Sequence, residues 1–401
     1  MVCDPGTEGC PCLPLATCEP GLTCEGDVCV AGGTSSTGGS STGEPPPPMC
    51  GDGQVGVDEV CFKPATTLGM GSGPVSVAVT DFNKDGNPDV VCANNQSNNM
   101  TVRTGKGDGT FNALVALASS QGPYSVATPD LDGDAAPDLV CANINANNVV
   151  VYKNNGAGML MGLMPTGVGG QSRFVVARKF NADNFDDLAV ANYMSNTISV
   201  LLGDGLGAFP NPTTVAVGAG PTWIAVADMN GDDALDLVSA NYGASTISVS
   251  LGNGLGNFGP PTNSPAGGQV YAVEVADLGG DGKPDAVVTI PAADTIYVLQ
   301  GNGLGGFGGA IPFPCGDDPI GLRLVDVSGD GDVDAVVANR AAGTVSVLRG
   351  NGKGGFGAPE PFMVGMMPFT VAATDFNKDG ALDLVTANNG DSTVSVLLSD
   401  P

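Results

Sequence analysis

The sequence predicts an all-β protein: a seven-bladed β-propeller of four-stranded blades, preceded by a small disulfide-rich segment and a flexible linker. Two observations lead to this fold class. An acidic loop recurs at a constant spacing of 49 residues, beginning at 81, 130, 179, 228, 277, 326 and 375. Each period also holds four short segments rich in Val, Ile, Leu and Thr, which is the number of strands in one blade. Seven equal units without insertions indicate seven copies of one structural unit, each packed on the next.

The N-terminal region divides into three parts before the repeats begin. Residues 1–30 hold six cysteines and no histidine, which favours a disulfide knot formed in an oxidising compartment over the alternative of a structural zinc site. Residues 31–49 are rich in Gly, Ser, Thr and Pro and form a flexible linker. Residues 50–61 form a short loop bounded by cysteines, which resembles the CGDG-type Cys-rich motifs of bacterial secreted proteins. The repeats then occupy residues 62–401.

The composition excludes several classes of partner. The chain has 14 Lys and Arg against 42 Asp and Glu, and its net charge of -28 repels the phosphates of nucleic acids and of anionic lipids. No run of 18 apolar residues is present, so we expect no membrane span. The clustered cysteines predict an extracellular or cell-surface location, and no signal sequence is visible in this chain. We expect a monomeric propeller.

The register of the repeats predicts how the ring closes. A phenylalanine recurs in the glycine-rich turns, and the same spacing places Phe62 at the start of an outer strand. The chain therefore begins the propeller on an outer strand and ends it after a third strand, near 393–398. We expect residues 62–70 to pair with that last strand, so that both ends of the chain share one blade and no sheet edge stays open.

The loops and turns together resemble those of a known family. Acidic loops such as TDFNKDGNPDVV combine with glycine-rich turns such as GNGLGNFGPP and GNGKGGFGAP. This combination is similar to the FG-GAP or VCBS-type repeats of integrin α-chain propellers and of many bacterial surface proteins, and the similarity extends over residues 62–401. The resemblance implies a seven-bladed propeller with Ca²⁺ in the loop between the first and second strands of a blade.

Each acidic loop offers oxygen atoms at alternate positions, the pattern with which a loop can wrap a calcium ion. Numbered from its first residue, the loop supplies side chains from positions 1, 3, 5 and 9 and a backbone carbonyl from position 7. An EF-hand is excluded, because it needs a glutamate at position 12 and flanking helices. Aspartates at the four side-chain positions make up half of the 42 acidic residues. The candidate calcium ligands of the five complete loops are Asp81, Asn83, Asp85, Asn87, Asp89, Asp130, Asp132, Asp134, Ala136, Asp138, Asp228, Asn230, Asp232, Ala234, Asp236, Asp326, Ser328, Asp330, Asp332, Asp334, Asp375, Asn377, Asp379, Ala381 and Asp383.

The two remaining loops are weaker candidates. The loop at 277 offers Asp277, Asp281 and Asp285 but has Gly279 at position 3, so a water must substitute for one ligand. In the loop at 179, Lys179 places a cation where the first carboxylate should be, and we expect no ion there. About five calcium ions are therefore expected per chain. The alternative is that these Asp and Asn residues only form tight Asx turns.

The sequence favours a binding or adhesion module over an enzyme. The chain has no histidine and its carboxylates lie largely in the loops, so the usual groups for acid–base catalysis are missing. A polysaccharide-acting lyase or hydrolase and a structural surface spacer are the alternatives. We expect a glycan or an extracellular protein to bind the face opposite the calcium loops, although each candidate side chain could instead pack between blades. The candidates are Tyr124, Arg173, Tyr193, Trp223, Tyr242 and Tyr271.

Overall fold

The computed structural model describes residues 60–156 and 160–400, together with two short strands nearer the N-terminus. These are β1 (Leu22–Glu25) and β2 (Val28–Ala31), which pair antiparallel. The remainder of the predicted disulfide knot, the linker and all but the last two residues of the cysteine-bounded loop lie outside the described residues. Cys61 is disulfide-bonded. No helix in the described part of the chain is long and apolar enough to cross a membrane.

The strands of the propeller follow one another along the chain, blade by blade. In the first half they are β3 (Thr66–Gly69), β4 (Pro74–Thr80), β5 (Asp89–Asn94), β6 (Asn99–Arg103), β7 (Val115–Ala118), β8 (Pro123–Ala127), β9 (Leu139–Asn143), β10 (Asn148–Asn154), β11 (Leu160–Gly162), β12 (Thr166–Gly167), β13 (Ser172–Arg178), β14 (Asp187–Asn192), β15 (Thr197–Leu201) and β16 (Thr213–Ala216). In the second half they are β17 (Pro221–Ala227), β18 (Asp236–Asn241), β19 (Thr246–Ser250), β20 (Thr262–Pro265), β21 (Val273–Ala276), β22 (Asp285–Ile290), β23 (Thr295–Gly301), β24 (Phe307–Pro314), β25 (Pro319–Val325), β26 (Asp334–Asn339), β27 (Thr344–Gly350), β28 (Phe356–Met363), β29 (Pro368–Thr374), β30 (Asp383–Asn388) and β31 (Thr393–Leu397). One turn of 3₁₀ helix, Pro291–Ala293, joins β22 to β23.

These strands form seven antiparallel sheets arranged as blades, which confirms the predicted fold class. Within a blade the strands run in chain order from the axis to the rim, as in β13-β14-β15-β16. The second blade differs, because its outer strand is split into β11 and β12, and both pieces pair with β10. Pro165 lies between the two pieces and has no N–H to donate to the neighbouring strand.

The last blade is completed by the beginning of the propeller. Strand β3 pairs antiparallel with β31, so the final sheet has the order β29-β30-β31-β3. Phe62 extends this pairing through an isolated bridge with Ser399. Its ring also meets that of Phe362 edge-on, with centroids 5.0 Å apart. The first outer strand is therefore held both by the last blade and by the blade before it.

The second strand of every blade forms the core of the ring. In β5, β14 and β30 every residue is buried, because each blade packs between two others and leaves neither face to solvent. Apolar side chains from neighbouring blades meet there: Val91 and Ala93 of the first blade pack in one cluster with Leu139 and Cys141 of the second. The two-sided apolar pattern of these segments follows from this packing.

The innermost strands begin with a β-bulge in six of the blades. In the first blade the register shifts between Pro74 and Ser76, which leaves Val75 as the extra residue. A bulge bends the strand and re-aims the side chain of the extra residue, here toward the propeller axis. The equivalent extra residues of all six bulged blades are Val75, Tyr124, Arg173, Thr222, Ile320 and Phe369.

Candidate metal loops and binding face

The acidic loops join the first and second strands of each blade and therefore share one face of the propeller. In the first loop, the carboxylate of Asp81 accepts the amides of Asp85 at 3.0 Å and Gly86 at 2.8 Å. The carboxylate of Asp85 accepts the amide of Asn87 at 2.8 Å. This position-5 contact recurs in all seven loops. The bonds are those of Asx turns, and they hold the side-chain oxygens on the inner side of the loop.

The aspartates at position 9 have a second role that their spacing does not reveal. Asp89 is fully buried, and its two carboxylate oxygens accept the amides of Phe82 and Gly105, both at 2.8 Å. Phe82 belongs to the acidic loop, whereas Gly105 begins the glycine-rich turn. The equivalent pair of bonds occurs in every blade, including the one that carries Lys179. Position 9 therefore fastens the acidic loop to the turn whether or not position 1 is an aspartate.

The crowded carboxylates leave the loops with uncompensated negative charge. Burial, with a smaller contribution from the charges of Asp85 and Asp81, raises the pKa of Asp89 to about 6, although its two backbone hydrogen bonds act to lower it. Burial likewise raises the pKa of Asp138 to about 6. The position-9 aspartates of the other five loops also have raised pKa values, and burial is the largest cause in each. A cation among these groups would favour their charged form.

Two observations fit a hard cation at these loops. Carboxylate oxygens of Asp130, Asp132 and Asp138 all lie within 4.8 Å of one another. Two oxygens that each lie about 2.3–2.6 Å from one calcium ion can be separated by that distance. In the loop at 326, the hydroxyl of Ser328 at position 3 is buried near the Asp334 carboxylate, with no hydrogen bond of good geometry between them. Carboxylate, amide and hydroxyl oxygens are the ligand types that calcium takes.

The loops differ in the lysines that already contact them. Lys153 Nζ lies 2.6 Å from a carboxylate oxygen of Asp132, so an ion in the second loop would share that group. Lys283 Nζ lies 3.0 Å from Asp281 in the loop at 277, where position 3 is a glycine. Lys179 is exposed at position 1 of the third loop. The loops at 81, 228, 326 and 375 contain no lysine–carboxylate pair among the described residues.

On the opposite face, the side chains of bulged residues and of Tyr271, the equivalent residue of the fifth blade, close the propeller axis. The hydroxyls of Tyr124 and Tyr271 meet across the ring at 2.8 Å, although they come from the second and fifth blades. The ring of Phe369 lies edge-on to both, with centroids 5.9 and 6.0 Å away. The void left among these side chains measures about 10 Å³. That volume is barely enough for one water molecule, so the axis is closed on this face.

Five of the six residues predicted to bind a ligand form one cluster around this closure: Tyr124, Arg173, Tyr193, Tyr242 and Tyr271. The guanidinium carbon of Arg173 lies 3.8 Å from the ring centroid of Tyr193, while Tyr271 is buried. The sixth residue, Trp223, lies one layer deeper, is 7% exposed, and stacks on Phe174. The partly buried members of the cluster are Tyr124, Arg173, Tyr193 and Tyr242.

Exposed methionines around the closed axis are a feature that the sequence reasoning missed. Met194, Met366 and Met367 are 65%, 64% and 42% exposed. Backbone hydrogen bonds tie them into the connections of this face, such as Gly390 N–H to the carbonyl of Met366. The run VGMMPF, with two adjacent methionines before an innermost strand, is the signal in the sequence that marks two of them.

A family profile described as an FG-GAP-like repeat matches the chain over most of the propeller. The matched residues are 81–141, 179–239, 228–288, 280–337 and 326–386. Together they cover more than half of the chain. No match is found among curated protein sequences.

Several solved structures are similar to this chain at low sequence identity. A chain in the crystal structure of BBS1N in complex with ARL6DN is 16% identical with a TM-score of 0.61, over 85% of this chain and 97% of that chain. Virginiamycin B lyase from Staphylococcus aureus is 12% identical with a TM-score of 0.59, over 84% and 99%. An Agrocybe aegerita lectin that recognises non-reducing terminal N-acetylglucosamine is 19% identical with a TM-score of 0.53, over 83% and 87%. At these identities the similarity shows the fold alone.

Proposed function

Because this chain belongs to the FG-GAP-like repeat family, we propose that it is a calcium-stabilised binding or adhesion module of the cell surface or extracellular space. Its ligand, a protein or a glycan, docks on the face opposite the calcium loops. The propeller scaffold is consistent with a binding module, since it holds a broad, rigid face on a closed ring. The dense N-terminal cysteines support the extracellular location.

Calcium stabilises the ring by binding the acidic loops in the folded state alone. The inward-facing oxygens, the raised pKa values at position 9 and the buried hydroxyl of Ser328 beside Asp334 support this part of the proposal. An ion that binds only the folded chain adds stability by mass action. With free calcium tenfold above the dissociation constant, each site contributes about 1.4 kcal/mol.

The exposed methionines carry the proposal for the binding face. Met194, Met366 and Met367 are unbranched, flexible side chains that adapt to a partner surface. Two arginines stand among them: Arg173 over the ring of Tyr193, and Arg340 paired with Asp318 at 2.6 Å. Methionine, tyrosine and arginine are enriched at the centres of protein–protein interfaces. This composition favours a protein ligand over a glycan.

We propose a binding role rather than catalysis. The chain has no histidine, and the position-9 carboxylates hold backbone amides in every blade. The remaining loop carboxylates belong to the proposed calcium sites. A polysaccharide-acting enzyme and an inert spacer are the competing functions, and the same ligand experiment separates them from a binding module.

The experiment is an array of extracellular-matrix proteins and glycans probed with the whole chain. We expect calcium-dependent retention on a protein ligand, and we expect Met366→Glu to abolish it because a charge then enters the apolar contact. Met164→Glu is the matched control, since Met164 is 87% exposed and lies between the two pieces of the outer strand of the second blade, away from the closed axis. The proposal would be overturned if the chain were retained by none of the ligands in calcium. It would also be overturned if Met366→Glu and Met164→Glu lost retention equally. Turnover of a polysaccharide on the array would support the enzyme instead.

A further inference from the structure

A cavity of about 630 Å³ occupies the propeller axis below the closed face. Its walls are the innermost strands of the blades, and its inner end is the layer that contains Phe174 and Trp223. The cavity continues to the carboxyl ends of those strands, on the side of the acidic loops, where Arg178 is exposed. The axis is therefore a blind channel that opens on the loop face. Ligand pockets typically have volumes of about 300–1,000 Å³.

One repeat position, which each blade contributes once to the channel wall, is not occupied by the same kind of residue in all seven blades. The position equivalent to Ala78 is alanine in four blades and valine in one, all small and apolar. The fifth and sixth blades carry Glu274 and Arg323 there instead. The two side chains are neighbours, with Arg323 Nη1 3.9 Å from Glu274 Oε2. This distance is longer than a hydrogen bond, so each group keeps free hydrogen-bonding capacity.

A third polar group lies at the inner end of the same channel. The indole Nε1 of Trp223 is buried and lies near enough to the Glu274 carboxylate to lower its pKa, but no hydrogen bond of good geometry joins the two groups. The indole ring itself is fixed, because it stacks on Phe174 with centroids 4.1 Å apart. Burial raises the pKa of Glu274, while the Arg323 guanidinium and the Trp223 indole act to lower it. A buried donor without a hydrogen bond of good geometry can bind an oxygen of a ligand.

We propose that this channel binds a small neutral polyol, of monosaccharide size, through adjacent hydroxyl groups. One hydroxyl donates to Glu274, its neighbour accepts from Arg323, and a further oxygen accepts from Trp223 Nε1. Ala78, Ala127 and the other small side chains of the ring contact the carbon skeleton. The site does not depend on the ligand of the methionine face, which lies beyond the closed end of the axis.

The charges of the channel favour a neutral ligand. Glu274 and Arg323 balance each other, and the wall holds one further residue of each sign, Arg178 and Asp186. An anion would meet Glu274 and Asp186 and would pass the acidic loops on its way in. A cation would meet both arginines. A diol presents a donor and an acceptor side by side, and it satisfies the Glu274–Arg323 pair without adding charge.

The chain contains a single tryptophan, and it lines the inner end of the channel, so its fluorescence reports on a ligand bound there. The whole chain is titrated in calcium with hexoses, hexose disaccharides and inositol, and with monodeoxy hexoses as controls. We expect at least one polyol to give a saturable change in Trp223 emission and to lower acrylamide quenching. The monodeoxy analogue that lacks the contacting hydroxyl should bind about tenfold more weakly or worse.

Glu274→Ala and Arg323→Ala test the assignment, and both should fold because alanine is the residue that four other blades carry. Each is expected to weaken binding by about tenfold to a hundredfold. Glu360→Ala is the matched control, because Glu360 pairs with Arg349 at 2.7 Å on an outer strand. The proposal would be overturned by any of three results. These are unchanged Trp223 emission with every polyol tested, full binding by Glu274→Ala, and an equal loss of binding in Glu360→Ala. Met366→Glu should leave this titration unchanged, which separates the channel from the proposed docking face.

Discussion

Replacement of Asp89 by alanine is expected to lower the free energy of unfolding by about 2–6 kcal/mol in chelator. In calcium the loss should be larger by the contribution of the ion, because Asp89 is also a proposed ligand. The carboxylate is fully buried and accepts the amides of Phe82 and Gly105. Its removal leaves both N–H groups without their partner, and each unpaired buried donor costs about 1–3 kcal/mol. Urea unfolding followed by circular dichroism, with and without chelator, measures the difference.

Asp85 provides the matched control within the same loop. Its carboxylate is exposed and accepts the exposed amide of Asn87. We expect Asp85→Ala to lower stability mainly in calcium, by about 1.4 kcal/mol when calcium is tenfold above its dissociation constant. An equal loss in chelator would show that the loop is only an Asx turn. If instead Asp89→Ala loses its effect in chelator, position 9 acts through the ion and not through the backbone.

Deletion of residues 1–72 is expected to lower the melting temperature by about 5–10 °C and to cause aggregation. The deletion removes β3 and the ring of Phe62, so β31 loses the strand that pairs with it. An unpaired strand edge invites association with other chains. Deletion of residues 1–59 keeps both features and is expected to melt like the full chain.

Calorimetry and size-exclusion chromatography of the two truncated chains measure this effect. The chain that lacks residues 1–59 also carries Cys61→Ser, so that the thiol of Cys61, which is disulfide-bonded in the full chain, does not cause association by itself. Should the two truncations melt at the same temperature and elute alike, the pairing of β3 with β31 contributes little and the ring does not depend on its N-terminal strand.

The fold could be predicted because a single spacing of 49 residues runs through the whole propeller. A unit that repeats seven times must bury its apolar strands against its own copies, and few architectures allow this. The second role of position 9 could not be predicted in the same way. The amide of Gly105 lies 16 residues from Asp89, and the spacing of oxygens along a loop does not show which N–H groups face them.

The closure of the propeller axis could not be predicted from local sequence patterns either. Tyr124 and Tyr271 are 147 residues apart and belong to blades that are not neighbours, so only the closed ring brings their hydroxyls together. The polar pair of the channel is different, because it can be predicted from the sequence. Glu274 and Arg323 stand at a repeat position where the other blades have alanine or valine. Only the structure shows that the two side chains line the same cavity on the propeller axis.

The number of calcium ions bound per chain tests the central claim most directly. Native mass spectrometry after dialysis into calcium should give about five ions for the natural chain. Lys179→Asp should bind one more, because its loop already has Asn181, Asp183 and Asp187 at positions 3, 5 and 9. A natural chain with one ion or none, or a Lys179→Asp variant without an additional ion, would contradict the account.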